Sequence, residues 1–302
     1  MRLLCLVLTV GLTACGQQEE EARAPSAAED KSVPVVYTVN YPLAWLAQQL
    51  SAGATSVEFP APTGEDPAFW KPPPEIVARY QQADLVLLNG ANYARWLAQV
   101  SMPANRLRDT SAGFAGHILH ESRSPVHSHG PEGAHSHTKA AFTVWLDLSL
   151  MALQAESVAV ALQELLPGQA TAIEERLATL QQQLAQLDTE LQSVAAQLEG
   201  APVLYSHPVY QYLQRRYNIN GVALHWEPDQ FPAEQEWARL QALLQSHPAQ
   251  LMLWEDDPLP QVAQRLAEIG IAVVVFRPQG NWPAAGDFAS NMRGNIDRLR
   301  SQ

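Results

Sequence analysis

The sequence predicts an α/β protein of two lobes, each a parallel sheet flanked by helices. Three observations carry this. Short β-rich or continuously apolar runs alternate with helix-patterned segments before residue 100 and again after residue 200. A long, strongly periodic helical region separates the two alternating stretches. Roughly 270 residues follow a polar N-terminal stretch, enough chain for two lobes, each with its own core.

In the first lobe, VPVVYTV (33–39) reads as a strand and YPLAWLAQQLSAG (41–53) as a helix with a Gly stop. PPPEIVARYQQA (72–83) places prolines at a helix start. DLVLLNG (84–90) is a short apolar run ended by Asn-Gly, as suits a buried parallel strand. YARWLAQV (93–100) reads as another helix. The region 147–199 is helical with an interruption at Pro167-Gly168. In its second part Ile173, Leu177, Leu180, Leu184, Leu187, Leu191, Val194 and Leu198 recur at alternating steps of four and three. That stripe fits a dimeric coiled coil or one helix packed across both lobes, and the heptads alone leave both open. In the second lobe APVLYS (201–206), INGVAL (219–224), QLMLWE (250–255) and IAVVVF (271–276) are strand-like, and the segments between and after them are helix-like. Gly270 is placed to end its helix. Ligands of open parallel sheets sit beyond the carboxyl ends of the strands, so a cleft between the lobes is the expected binding place.

The ends and the composition narrow the function. Arg2, the apolar run Leu3 to Leu12 and the sequence Leu12-Thr13-Ala14-Cys15 fit a bacterial lipoprotein signal, 1–14, with lipid on Cys15. Residues 16–32 are polar and acidic, the composition of a tether. The expected organisation is therefore the signal, a lipidated Cys and tether at 15–32, a first lobe at 33–166, a linking segment at 167–200 and a second lobe at 201–302. Cys5 and Cys15 are the two cysteines, so the body of the chain has neither a disulfide nor thiolate ligands. A formal net charge of −12 disfavours nucleic acid as a partner. G-x-S-x-G, H-E-x-x-H and a Gly-rich phosphate loop after a strand are all missing, which argues against an enzyme.

Six of the nine histidines, His117, His120, His127, His129, His135 and His137, fall in one Gly-, Pro- and Ser-containing stretch. Imidazole is the commonest protein ligand for zinc, and such a loop reads as a metal-capturing segment.

Several segments then resemble the ZnuA/TroA-like zinc- and manganese-binding lipoproteins of bacterial ABC importers, from about residue 33 to the end. DPAFWKPPPEIVARYQQADLVLLNGANYARWL (66–97) resembles their DPH-x-Y-E-P-x-P…ADLV…NG…E-x-WL segment. AFTVWLD (141–147) resembles DPHVWLD, SHPVYQYLQRRYNIN (206–220) resembles H-x-A-Y-x-Y…RYG, and LMLWED (251–256) and SNMRGNIDRL (290–299) resemble two further family segments. The resemblance implies one long helix linking the lobes, a monomer, zinc as cargo, a permease in the inner membrane as partner, and an exported, membrane-anchored location.

It also implies a four-ligand cleft site of His and carboxylate, and here the sequence departs. The family's first His falls on Ala68, its second on Thr143 and its carboxylate on Arg277, leaving His207 as the one matching ligand. Lys71 and Ala94 replace two nearby family acids. One imidazole cannot hold zinc, which wants about four N, O or S donors. Three repairs are open. The His-rich loop is itself the metal site, with or without His207. Alternatively, His207 joins His225, Glu255 and either Asp256 or Asp257 in a rebuilt cleft site. In the third, Arg277, His207 and Lys71 make the cleft cationic, lined by Trp70, Trp145 and Trp226, so that a degenerate paralogue binds an anionic or metal-chelate ligand or a protein partner and acts as a chaperone. Internal pairing of Arg277 with Glu255 or Asp287 is the structural alternative to an anion site.

Overall fold

The computed structural model describes residues 33–120 and 141–302. The signal 1–14, Cys15 with its tether, and His127, His129, His135 and His137 lie outside the described residues.

The first sheet contains β1 (Val35–Thr38), β2 (Ser56–Glu58), β3 (Leu85–Leu88) and β4 (Leu107–Asp109), in the order β2-β1-β3-β4. The second contains β5 (Val203–Tyr205), β6 (Gly221–Ala223), β7 (Leu251–Trp254) and β8 (Ala272–Val275), in the order β6-β5-β7-β8. Every pairing is parallel, for example Val36 opposite Leu85 and Val203 opposite Leu251. The two lobes thus repeat one topology, as the alternating pattern predicts. Sequence pattern misses β2 and β4, because Ser56-Val57-Glu58 and Leu107-Arg108-Asp109 hold one apolar residue each and form no apolar run. The helix predicted at 93–100 is a tighter 3-10 turn, Arg95–Gln99.

The helices are α1 (Tyr41–Ser51), α2 (Pro74–Gln82), α3 (Leu148–Leu165), α4 (Ala170–Ala196), α5 (Gln211–Tyr217), α6 (Glu234–Leu244), α7 (Pro260–Glu268) and α8 (Phe288–Arg300). Asn40 caps α1 by accepting from the Leu43 amide at 3.1 Å, and Asp147 caps α3 by accepting from Ser149 and Leu150. Gly270 takes a φ of +80° just past α7, a conformation that costs a residue without Cβ nothing.

The 27 residues of α4 span about 40 Å. Its stripe from Ile173 to Val194 is buried inside this one chain, against α1 and α3 on the first-lobe side and α5 and α8 on the second. The helix is therefore a linker whose apolar face is already covered, and the coiled-coil alternative falls away. The largest core is continuous through it: Val36, Leu87 and Trp145 belong to the same cluster as Tyr210, Phe276 and Phe288. Polar ties cross between the lobes as well. Thr143 Oγ1 donates to Val209 O at 2.6 Å, Trp145 Nε1 to Pro278 O at 2.6 Å, and Arg215 Nη2 to the buried Asp147 at 3.1 Å. A separate aromatic cluster, with Trp226, Trp237 and Trp254, fills the far side of the second sheet. Among the described residues no helix is long and apolar enough to cross a membrane.

Candidate metal centre

In the second sheet the chain leaves β5 with β6 on one side and β7 on the other, the switch point at which parallel sheets open a crevice. His207 stands two residues past β5, Glu255 one past β7, and Glu227 four past β6. Buried aromatic neighbours hold them there. Trp254, the last residue of β7, is wholly buried, so Glu255 turns out at the strand end. Trp226 is sunk against Trp237 and Trp254, with ring centroids 4.7 and 6.1 Å away. Its amide donates to Ser206 O at 2.8 Å, tying the segment to the end of β5. With Trp226 anchored inward, Glu227 beside it faces the crevice.

His207 Nδ1 lies 3.6 Å from Glu227 Oε1 and 4.0 Å from Glu255 Oε1. Among the described residues these three are the His, Cys, Asp and Glu side chains whose ligand atoms converge, all within 4.8 Å of one another. Tetrahedral donors about 2.1 Å from a zinc ion sit roughly 3.4 Å apart, so a small inward movement of each would close the trio on an ion.

The trio lines an open cleft of about 1150 Å³ that also takes in Asp66, Tyr93, Thr143, Trp145 and Trp282. Its electrostatics suit a cation. The Glu255 carboxyl is pushed up to about 8, first by loss of water and then by the charges of Glu227, Asp66 and Asp256. Asp66 is raised too, chiefly by desolvation and further by Glu227. Its carboxyl keeps a solvent-facing side, yet the cleft walls displace enough water to lift it. Carboxylates packed this closely resist sharing one space until a cation enters.

Several sequence expectations are corrected here. Arg277 does not make the cleft cationic. Its Nε donates to Asp256 at 2.9 Å and its Nη2 to Asp257 at 2.8 Å, so the pair expected as alternative ligands is engaged by the guanidinium. The internal pairing is with these two, rather than with Glu255 or Asp287. Asn295 fixes the Arg277 backbone from both sides, accepting from its amide and donating to its carbonyl. Lys71 and Trp70 are not among the cleft residues, and Trp226 is core; of the three expected tryptophans Trp145 lines the cleft, together with Trp282. His225 stands edge-on to His207, ring centroids 5.8 Å apart, outside the converging trio. Ala68 is buried, and Thr143 Oγ1 donates to Val209 O. His117 and His120 are exposed and away from the cleft lining, and the His117 carbonyl accepts from Arg215 at 2.7 Å. Glu227 is the residue that sequence reasoning missed. The available signal was Trp226: read as core rather than as cleft wall, it turns its neighbour outward.

Comparison with known proteins decides the family. The model for "Zinc-uptake complex component A periplasmic", ZnuA, matches residues 36–302. The chain belongs to that family. ZnuA-family proteins are solute-binding receptors, not enzymes. The chain is 25% identical over 270 residues to the high-affinity zinc uptake system protein ZnuA of Bacillus subtilis, covering 88% of this chain and 83% of that one. It is 22% identical over 309 residues to the zinc-binding lipoprotein AdcA of Streptococcus pneumoniae, covering 99% of this chain and 60% of AdcA. The chain spans little more than half the length of the AdcA relatives that it matches. Among solved structures, the metal-dependent lipoprotein YcdH of Bacillus subtilis superposes with a TM-score of 0.75 at 21% identity, covering 89% of this chain and 98% of that one. The Zn(II)-bound ZnuA-like domain of Streptococcus pneumoniae AdcA gives 0.74 at 19%, with the same two coverages. These likenesses establish the two-lobed fold.

Proposed function

We propose that the protein is an extracytoplasmic receptor that captures a divalent metal, zinc first, at His207, Glu227 and Glu255 and presents it to an ABC permease. The observation that carries this is the convergence of the trio at the switch point of the second sheet, within 4.8 Å, in an acidic cleft. Zinc is favoured by the names of the relatives, and one imidazole with two carboxylates is a donor set that zinc accepts. In this reading the site has been rebuilt beside the family's usual one. His207 is kept, while Glu227 and Glu255 take over from the ligands lost at Ala68, Thr143 and Arg277. The His-rich stretch 117–137 is an auxiliary segment that gathers metal at lower affinity, and Cys15 carries the lipid that holds the receptor at the membrane.

Calorimetry with a competing chelator tests the assignment on the purified protein. Zinc should bind at one tight site plus weaker ones. Deleting 117–137 should remove the weak sites and leave the tight one, while His207→Ala should do the reverse. A tight site that survives His207→Ala would reject the cleft as the metal centre.

A further inference from the structure

We infer that Asp66 is the first lobe's ligand to the ion held by His207, Glu227 and Glu255, so that the cargo itself ties the two lobes across the cleft. This rests on the metal-receptor reading above. All three converging donors come from the second lobe, past β5, β6 and β7. Three protein donors leave a tetrahedral ion one position short. The two first-lobe positions that would fill it by family pattern, Ala68 and Thr143, carry no suitable donor.

Asp66 is on the same loop as Ala68 and lines the same cleft as the trio. The second lobe holds this loop in place. Asn281 Nδ2 donates to Pro62 O at 2.7 Å and to Glu65 O at 2.8 Å, and Trp282 Nε1 donates to Phe59 O at 2.9 Å. The residue next to Asp66 is thus fastened directly to the opposite lobe. Oδ1 of Asp66 accepts from the Ala68 amide at 2.9 Å, which braces the carboxylate. A carboxylate has a second oxygen to offer an ion. Asp66 and both glutamates also act on one another electrostatically, which places the three charges in one field. Asp66 is outside the 4.8 Å trio, so the ion draws it in: closing the cleft on the cargo is the step that completes coordination. The full set would be one nitrogen and three carboxylates.

Asp66→Asn tests this, because asparagine keeps the acceptor for the Ala68 amide and removes the charge. Zinc affinity, read by chelator competition on the full-length protein, should fall by at least ~10-fold, with an unchanged circular dichroism spectrum. Hydrogen exchange supplies a second readout. Zinc should protect the 59–70 segment in the wild type and not in Asp66→Asn, while the segment around Glu255 is protected in both. An unchanged affinity overturns the inference. So does a weakened affinity with the 59–70 segment still protected, which would make Asp66 a distant charge and not a ligand. His207→Ala separates the two levels: loss of the tight site there with no effect of Asp66→Asn leaves the receptor reading standing and removes Asp66 alone.

Discussion

Glu255→Gln should make the metal-free protein more stable and the zinc-loaded protein less so, and the opposite signs are the test. In the folded chain the Glu255 carboxyl titrates at about 8, against an ordinary value of 4.5, because burial and then the charges of Glu227, Asp66 and Asp256 oppose ionisation. The folded state therefore holds a proton that the unfolded chain has released. That contribution is fully present below pH 4.5 and is lost as the pH rises towards 8. At 1.36 kcal/mol per unit, the rise of about 3.5 units approaches 5 kcal/mol once the group is ionised, and sharing among the four carboxylates makes ~2–5 kcal/mol the expected range. For a chain of this size, ~2–4 °C of melting temperature accompanies each kcal/mol, so removing the charge should raise the metal-free melting temperature by roughly 5–15 °C at pH 8.5 and by little at pH 5. Zinc binds the folded state and stabilises it according to its concentration relative to Kd. Glu255→Gln removes a ligand, so its zinc-induced rise should be much smaller than the wild type's. Differential scanning fluorimetry from pH 5 to 8.5, with chelator and with excess zinc, reads all four corners. A Glu255→Gln protein that melts lower than the wild type at pH 8.5 without metal would refute the reasoning, since Glu255 would then be a structural partner and not a strained ligand.

Other expectations follow from particular contacts. Leu184→Ala, at a fully buried position midway along α4, should cost ~2–5 kcal/mol in denaturant unfolding, because it opens a cavity in the core that both lobes share. Gly221→Ala should cost at least ~1–3 kcal/mol, since a Cβ there would come 2.2 Å from the ring of Tyr205 on the neighbouring strand. Phosphate and citrate should leave the melting temperature unchanged at concentrations where zinc raises it, because Asp256 and Asp257 already engage Arg277; a clear rise would revive the anion reading of the cleft.

Much of the fold was legible in the chain, and the reasons are local. DLVLLNG and IAVVVF are apolar runs closed by turn signals, and the structure makes them β3 and β8. The α4 stripe announced a long helix with one apolar face. It could not say what covers that face, because a heptad is satisfied equally by a second chain or by two lobes of its own. The strands β2 and β4 were not visible, since SVE and LRD are mostly polar and their places are fixed by parallel pairing to β1 and β3.

The candidate site was legible in half, and the division has a physical reason. Reading ligands by position asks whether the same residue type stands at the same place, and at Ala68, Thr143 and Arg277 the answer is no. A cleft does not need the same places; it needs donors that reach one point. The ends of β5, β6 and β7 lie side by side, so a donor lost at one strand end can be supplied by a neighbouring one. His207 and Glu255 were candidates because each directly follows a recognisable strand. Glu227 follows a strand too, but three residues intervene, and only the burial of Trp226 shows which way the segment faces. Arg277 fits the same account. Were it pointing freely into the cleft, its fixed charge would repel the cargo. Held by Asp256 and Asp257, it is neutralised within its own lobe, and Asp66, Glu227 and Glu255 are left to meet the cargo, where a divalent ion would relieve the repulsion that keeps the Glu255 proton on.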